Sequence, residues 1–423
     1  MQYKKFLLLI IIACMFVLSA LAEKKLNGKV KATVNIAAKK MQAHVNLLYT
    51  IENPADTTNS FRFYFDRANH INFIKTANLQ SYYRDTITRS SSVVIKLNTA
   101  FKKNEKAVIE FDYDIPLDSL NYHKYGFVEL GLDWLWFPVH TNMSDWKFTF
   151  DLAVQTDDAA LELFSNGTVK KDKEGDFRVR SIYPDFDIDL FLLKNPAVFT
   201  GNNKHIKVVG SAGNAPLKDS VANLIKQYLD LYNQWYSGSF KQVTCIFRPV
   251  INDPNGFGYS RQGYFVLSEP SKLSAIRFYV AHELAHFWWI NGESTENEWI
   301  TESFAEYNAL LMVKHFEGDS AYNKIIREKY ERVEKIKKDG RNVPAVFNAG
   351  SKNKSNFSHI ALYFKGALIL HELNQQVGGA TMMNLLQEAA KKKITTTSQF
   401  LDLLSKHAGV ATVDHIKDRL QHF

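Results

Sequence analysis

The stretch V-A-H-E-L-A-H-F-W-W, residues 280–289, decides how the chain is read. On a helix, His282 and His286 lie four apart, on one face and one turn above the other. Both imidazoles can then reach a single ion. Glu283 projects about 100° round the same helix. It can face a water on that ion without being a ligand. Two metal ligands and a general base are the mechanical content of this spacing. The competing reading is two hydrogen-bonded histidines on a buried helix. A further ligand decides between them, because hydrolytic zinc sites use three protein ligands and keep one position open.

The next segment supplies one. N-E-W-I-T-E-S-F-A-E-Y-N-A-L-L, residues 297–311, follows a turn-like N-G-E-S-T-E-N at 291–297. The pattern predicts a second helix from near Thr301, with Glu302 in its first turn. A helix–loop–helix turn can return Glu302 to an ion held by His282 and His286. Glu306 shares the face of Glu302 one turn on. It is a candidate acceptor for an imidazole N–H, which would fix tautomer and orientation. A solvated carboxylate is its alternative role. Glu293, Glu296 and Glu298 rank lower, because they lie in or beside the turn.

Around this segment the chain has 423 residues, enough for two or three domains. Apolar residues make up 46% and charged ones 23%, which selects a globular chain over a disordered one. The first residues, M-Q-Y-K-K-F-L-L-L-I-I-I-A-C-M-F-V-L-S-A-L-A, read as an export signal. Lys4 and Lys5 precede an apolar run, and Ala20-Leu21-Ala22 offers the cleavage site. Cys14 resembles a lipid-attachment cysteine, but the apolar run continues past it. The expectation is an exported chain cut near Ala22, with membrane association only through this segment. Losing Lys4 and Lys5 takes the net charge from +8 to +6. The remaining positives are spread among acids, which reads as solubility and affinity for anionic surfaces, with no nucleic-acid partner expected. The other cysteine, Cys245, sits in apolar V-T-C-I-F and reads as a buried strand residue.

From about residue 26 to 205 the hydrophobic period is two. Val30, Ala32, Val34 and Ile36 alternate with Lys31, Thr33 and Asn35, and Ala43 to Ile51 repeat the pattern. The period changes after Pro216, where Val221, Leu224, Ile225, Tyr228, Leu231, Tyr232 and Trp235 fall at helical spacing. Short strands follow at V-T-C-I-F and G-Y-F-V-L-S, and from Ser274 nearly everything reads as helix. The fold class is therefore multidomain α and β. A signal segment (1–22) and an N-terminal antiparallel β domain (23–205) are followed by a mainly helical domain (206–423). G-Y-F-V-L, residues 263–267, is expected to be the edge strand along which an extended peptide lies. The charged stretch 325–341 carries an apolar stripe of Ile326, Tyr330, Val333 and Ile336, the pattern of a solvated helix.

H-E-L-A-H-F-W-W followed by W-I-T-E-S-F-A-E-Y resembles the gluzincin aminopeptidases, the family of membrane alanyl aminopeptidase and leukotriene hydrolase. Their pattern is H-E-x-x-H, eighteen residues, then the glutamate of a W-L-N-E-G-F-A-type motif. Here fifteen residues, 287–301, separate His286 from Glu302. W-F-P-V-H (136–140) and S-D-W-K-F-T-F-D-L-A-V (144–154) resemble the family's β domain. L-Y-F-K-G-A-L-I-L-H-E-L, residues 362–373, resembles its Y-x-K-G-A-type helix. The resemblance implies a β domain before a thermolysin-like one, and one zinc per chain on His282, His286 and Glu302. It implies Glu283 as general base, Tyr363 as oxyanion donor and a peptide or protein as substrate.

Two departures stand out. The family's G-x-M-E-N-type motif carries a glutamate for the substrate's free amine. The matching stretch G-Y-S-R-Q-G-Y-F-V-L, residues 258–267, places Ser260 there and Arg261 beside it. The family's large C-terminal helical domain has no counterpart in 206–423. The expected activity is thus a zinc-dependent metallopeptidase with Arg261, Gly263, Tyr264 and Phe265 at the substrate. The alternatives are a weak or inactive exported peptide-binding scaffold on the same fold, or a zinc hydrolase for another bond.

Overall fold

The computed structural model describes residues 26–52, 57–85, 91–102, 105–141, 146–182, 184–250, 258–289, 297–339, 345–346 and 358–422. The expected signal segment, with Lys4, Lys5, Cys14 and the cut at Ala22, lies outside these residues, as do Glu293 and Glu296. Among the described residues no helix is long and apolar enough to cross a membrane.

The residues group into two compact units. The first, 1–116 with 131–155 and 170–188, is built of strands. The period-two pattern does what it implies: in Gln42–Glu52, residues Ala43, Val45, Leu47, Tyr49 and Ile51 are buried and their neighbours are not. Leu26–Ala37 pairs with it antiparallel, Val34 opposite Val45. They sit inside a seven-stranded sheet, and a four-stranded sheet contains Thr57–Tyr64. Phe63 of the smaller sheet meets Tyr49 and Phe111 of the larger at 5.8 and 5.5 Å between ring centroids. Each fully buried side chain of this size contributes roughly 1.5–3 kcal/mol.

The second unit takes 189–423 and also two earlier segments, 117–130 and 156–169. The single cut expected at 205 therefore does not describe the contacts. The physical reason is a three-stranded sheet of Phe127–Leu130, Leu161–Ser165 and Leu190–Lys194. Phe127, Phe191 and Leu193 bury one face of it against Val209, Ile246, Tyr264 and Val266 of a five-stranded sheet.

That sheet runs in the order Ala197–Phe199, Ile206–Gly210, Val243–Arg248, Tyr264–Ser268, Tyr259–Arg261. Ile206–Gly210 and Val243–Arg248 are parallel, so a helix must carry the chain back. Helix α1 (Ala215–Tyr236) does so, with Val221, Leu224, Ile225, Tyr228 and Tyr232 buried as their spacing predicts. Cys245 is fully buried in its strand. Helices α2 (Leu273–Ala285), α3 (Glu298–Lys338), α4 (Gly366–Val377), α5 (Gly379–Lys392), α6 (Thr397–Ala408) and α7 (Val410–His422) complete the unit. Residue 318 interrupts α3: its φ of 84° and ψ of 176° suit glycine and break the helix into two arms.

The sequence reading placed 263–267 at the sheet's edge. The edge is instead Tyr259–Arg261, and Tyr264–Ser268 lies between it and Val243–Arg248. The cause is a tight hairpin. Gln262 and Gly263, the latter at φ 79°, turn the chain so that Arg261 pairs with Tyr264 and Ser260 with Phe265.

Candidate metal centre

The first half of helix α2 is partly exposed, at Ser274, Ala275 and Tyr279, whereas Val280–Ala285 is buried without a break. His282 is in its last turn. His286 is its cap residue and still has helical angles, φ −58° and ψ −18°. The i,i+4 relation therefore survives the end of the helix. The two Nε2 atoms lie 3.1 Å apart. Helix α3 starts at Glu298, three residues before the expected start, and Glu302 falls in its second turn. Its Oε2 lies 3.6 Å from His282 Nε2 and 3.7 Å from His286 Nε2. The short connection 287–301 thus still delivers the glutamate to the histidine pair.

The three atoms fit a zinc ion. Tetrahedral ligands at about 2.0–2.1 Å from a metal stand about 3.3–3.4 Å from one another. The observed triangle brackets that edge. Glu302 Oε2 is buried and makes no hydrogen bond within the protein, which is costly unless a cation meets it. Among the described residues, His282, His286 and Glu302 are the one such group of potential ligands.

The outer nitrogens are fixed too. His286 Nδ1 lies 3.0 Å from the Trp289 carbonyl, to which it donates. His282 Nδ1 lies 2.8 Å from Glu306 Oε2, a short contact off the ideal hydrogen-bond axis. Each places the proton on Nδ1 and leaves an Nε2 lone pair facing Glu302. Glu306 thus stands directly behind His282.

Charge in the cluster is finely divided. Burial opposes ionisation of Glu302, but His286 and His282 outweigh it and hold the group down at about 2. Burial likewise opposes the charge on Glu306, and Lys329 and His282 hold it at about 2. His282 is carried up to about 10, burial opposing and the Glu302 and Glu306 carboxylates prevailing. His286 is lowered, chiefly by burial. Carboxylates on both sides of His282 demand a cation; a proton or a divalent ion can meet that demand.

Glu283 follows His282 on α2, about 100° round the helix, and feels the charges of His282 and Glu302. It is buried, its Oε2 makes no hydrogen bond, and burial pushes it up to about 7. The backbone crowds it: a Cβ on Gly258 would come within 2.5 Å of Glu283 Oε1 and of Leu267. Tyr363 lies in a π-helical turn, Ile360–Lys365, rather than in an ordinary helix. Its ring stacks on His282 at 5.5 Å and 26°. Its hydroxyl hydrogen bonds to the Glu302 carboxylate, and burial followed by that negative charge raises its pKa well above the usual value.

The structure gathers His282, His286, Glu302, Glu283, Glu306 and Tyr363. It does not add Tyr264 and Phe265, which are buried in cores on opposite faces of the sheet. Gly263 is the hairpin turn. Arg261 is buried on the edge strand, its guanidinium donating to the Ser260 carbonyl at 2.7 Å. Its charge reaches both Glu283 and His286. Two carboxylates that could have replaced the missing amine anchor are committed elsewhere. Glu129 is paired with Arg248 at 2.6 and 2.8 Å. Glu269 is paired with Lys218.

Residues 266–420 match the description Peptidase family M1 domain. The C-terminal part of the chain thus resembles peptidase family M1. The chain's fold is that of an M1 zinc metallopeptidase from Deinococcus radiodurans, at 15% identity and a TM-score of 0.68 for a mutant form, covering 94% of this chain and 95% of that one. Another structure of that enzyme is bound to the substrate Tyr-Ser-Ala. Leukotriene A4 hydrolase from Saccharomyces cerevisiae superposes with a TM-score of 0.74 at 14% identity, covering 95% of this chain and 68% of that one. Comparison with curated proteins gives no match. The β region followed by a mainly helical region resembles the fold of the two-domain M1 zinc metallopeptidases.

Sequence reasoning missed Lys329, Ser303 and Gly258. Lys329 had a signal. It follows Ile326 by three and precedes Val333 by four, so it lies on the apolar stripe of its helix. A lysine on a buried face needs partners.

Proposed function

We propose that this chain is a zinc-dependent metallopeptidase that hydrolyses peptide bonds. The observation that carries the reading is the convergence of buried His282 and His286 with half-buried Glu302, beside the buried Glu283 and with Tyr363 stacked on His282. The relative bound to Tyr-Ser-Ala supports a peptide as substrate. Zinc held there supplies a Lewis acid and brings the attacking water towards neutral ionisation.

The chain's own residues do the rest. Glu283 takes the proton of the attacking water and returns it to the leaving amine. Its pKa near 7 suits both halves of that task. Tyr363 donates its hydroxyl proton in a hydrogen bond to the oxygen on which charge develops. The stacking of its ring on His282 holds the hydroxyl beside the triangle. Arg261 brings positive charge to bear on Glu283, and it adjoins Ser260, which stands where the gluzincin pattern has a carboxylate. A free α-amine is repelled there, and a substrate carboxylate near the scissile bond is favoured. We read the chain as a peptidase for internal or acidic sites rather than a general aminopeptidase.

Glu283→Gln tests the reading. The protein should retain one zinc per chain by elemental analysis and lose about 10²–10⁴-fold in peptide hydrolysis. Parental turnover of a peptide library by this variant would remove Glu283 from the mechanism. A parent that binds zinc and cleaves no peptide would favour the scaffold reading.

A further inference from the structure

Lys329 lies on the second arm of α3 and is 5% exposed. Its Nζ donates to Glu306 Oε1 and, at 3.0 Å, to the backbone carbonyl of Tyr363. The ammonium also stands 4.5 Å from the centre of the Phe364 ring. One buried cation therefore joins the carboxylate behind His282 to the backbone of the residue bearing the hydroxyl.

The carbonyl is available because of the π-turn, whose hydrogen bonds skip to i+5 and distort the usual ladder. Helix α3 takes up two successive carbonyls of this turn. Ser303 Oγ donates to Leu362 O at 2.7 Å, and Lys329 takes the next. The approach is close: a Cβ on Gly366 would overlap Ser303 Oγ at 1.9 Å, so residue 366 must be glycine. The contacts then close into a ring. Lys329 leads to Glu306, Glu306 to His282, His282 to the stacked Tyr363 ring, and Tyr363 through its carbonyl back to Lys329.

We propose that Lys329 is a positioning residue for the metal centre. It locks Glu306, and so His282, to the π-turn that carries Tyr363, so that the metal ligands and the oxyanion donor are held as one body. A bidentate donor at this junction fixes two supports at once, the kind of outer contact that tunes metal affinity by 10–100-fold. This inference rests on the peptidase reading for its catalytic half, and on the metal site alone for the other.

Lys329→Met keeps the length of the side chain and removes the donor. It should weaken zinc about 10–100-fold in competition with a chelator. At saturating zinc it should lower kcat with little change in KM. Tyr363→Phe should cost about 10²–10³ in kcat, and adding Lys329→Met to it should cost little more, because the lysine acts through the tyrosine. Lys329→Arg should restore part of the loss. The visible spectrum of the cobalt-substituted protein should shift in Lys329→Met, whether or not peptides are cleaved. That arm judges the lysine separately from the peptidase reading.

A folded Lys329→Met protein with parental zinc affinity, cobalt spectrum and kcat overturns the proposal. So do kcat losses that multiply in the double variant. If Lys329→Met fails to fold, Glu306→Gln/Lys329→Met, which removes both buried charges, is compared with Glu306→Gln. A further fall in kcat or a shifted cobalt spectrum supports the role, and identity of the two overturns it.

Discussion

The candidate metal-binding face of α2 and α3 and the hairpin 258–268 lie together around Glu283, yet they are specified in different ways. His282, Glu283 and His286 owe their arrangement to the pitch of one helix, and Glu302 and Glu306 to the pitch of another. The hairpin owes its arrangement to pairing. Whether 259–261 or 264–268 is the edge depends on Val243–Arg248, far away in sequence, binding the second strand and not the first. The helices bring the chemistry, and the hairpin supplies the wall behind Glu283 and the charge of Arg261.

If that contrast is right, damage to the helical face should abolish the site, while damage to the hairpin should only detune it. Glu302→Ala should have the largest effect. Its Oε2 stands 3.6 and 3.7 Å from the two Nε2 atoms, and no other described carboxylate completes the triangle. Zinc stoichiometry should fall well below one per chain and hydrolysis to background, while far-ultraviolet circular dichroism remains parental. Retention of full zinc affinity would mean the third ligand lies elsewhere, with Glu298, one turn earlier on α3, the next to vary.

Gly258→Ala should sit in the middle of the scale. The added methyl would come within 2.5 Å of Glu283 Oε1 and of Leu267 Cδ2. Overpacking of this kind costs about 1–3 kcal/mol in stability. Part of the strain is relieved by moving Glu283, so kcat should fall about tenfold at unchanged zinc content, the direction set by the sensitivity of proton transfer to placement. An alanine variant with parental kcat and melting temperature would show the hairpin to be looser than its contacts indicate, and would weaken the contrast.

The same contrast explains what could be read in the sequence. Periods of two and 3.6 are local, so the β region, the helical region, the buried Cys245 and the ligand face were all legible. Sheet order, the segments 117–130 and 156–169 joining the second unit, and the π-turn at 360–365 were not, because each depends on partners remote in the chain. Tyr363 was reached through family resemblance and not through periodicity, since a π-turn has no sequence period of its own. Lys329 stood between these cases. Its place on an apolar stripe was visible, but its partners Glu306 and Tyr363 were visible only in space.

The smallest expected effect belongs to Arg261, and it concerns choice of substrate more than rate. The guanidinium is buried on the edge strand, faces the ring of Tyr259 at 5.1 Å, and donates to the neighbouring Ser260 carbonyl. Its charge reaches Glu283 and His286. Arg261→Gln removes the charge and keeps a donor of similar reach, so zinc content and fold should be parental. Two peptides that differ only in an acidic or an amide residue beside the scissile bond make the comparison. For the parent, kcat/KM should favour the acidic peptide. The variant should lose about five- to tenfold of that ratio, or roughly 1–1.4 kcal/mol, the size of one partly screened charge pair. The amide peptide should be cut at nearly the parental rate. If the ratio is unchanged while both rates fall together, Arg261 shapes the wall behind Glu283 and reads nothing of the substrate. If an unblocked amine improves cleavage in the variant, the charge at this position was excluding an amino terminus, and the departure from the family's carboxylate is what sets this chain's preference.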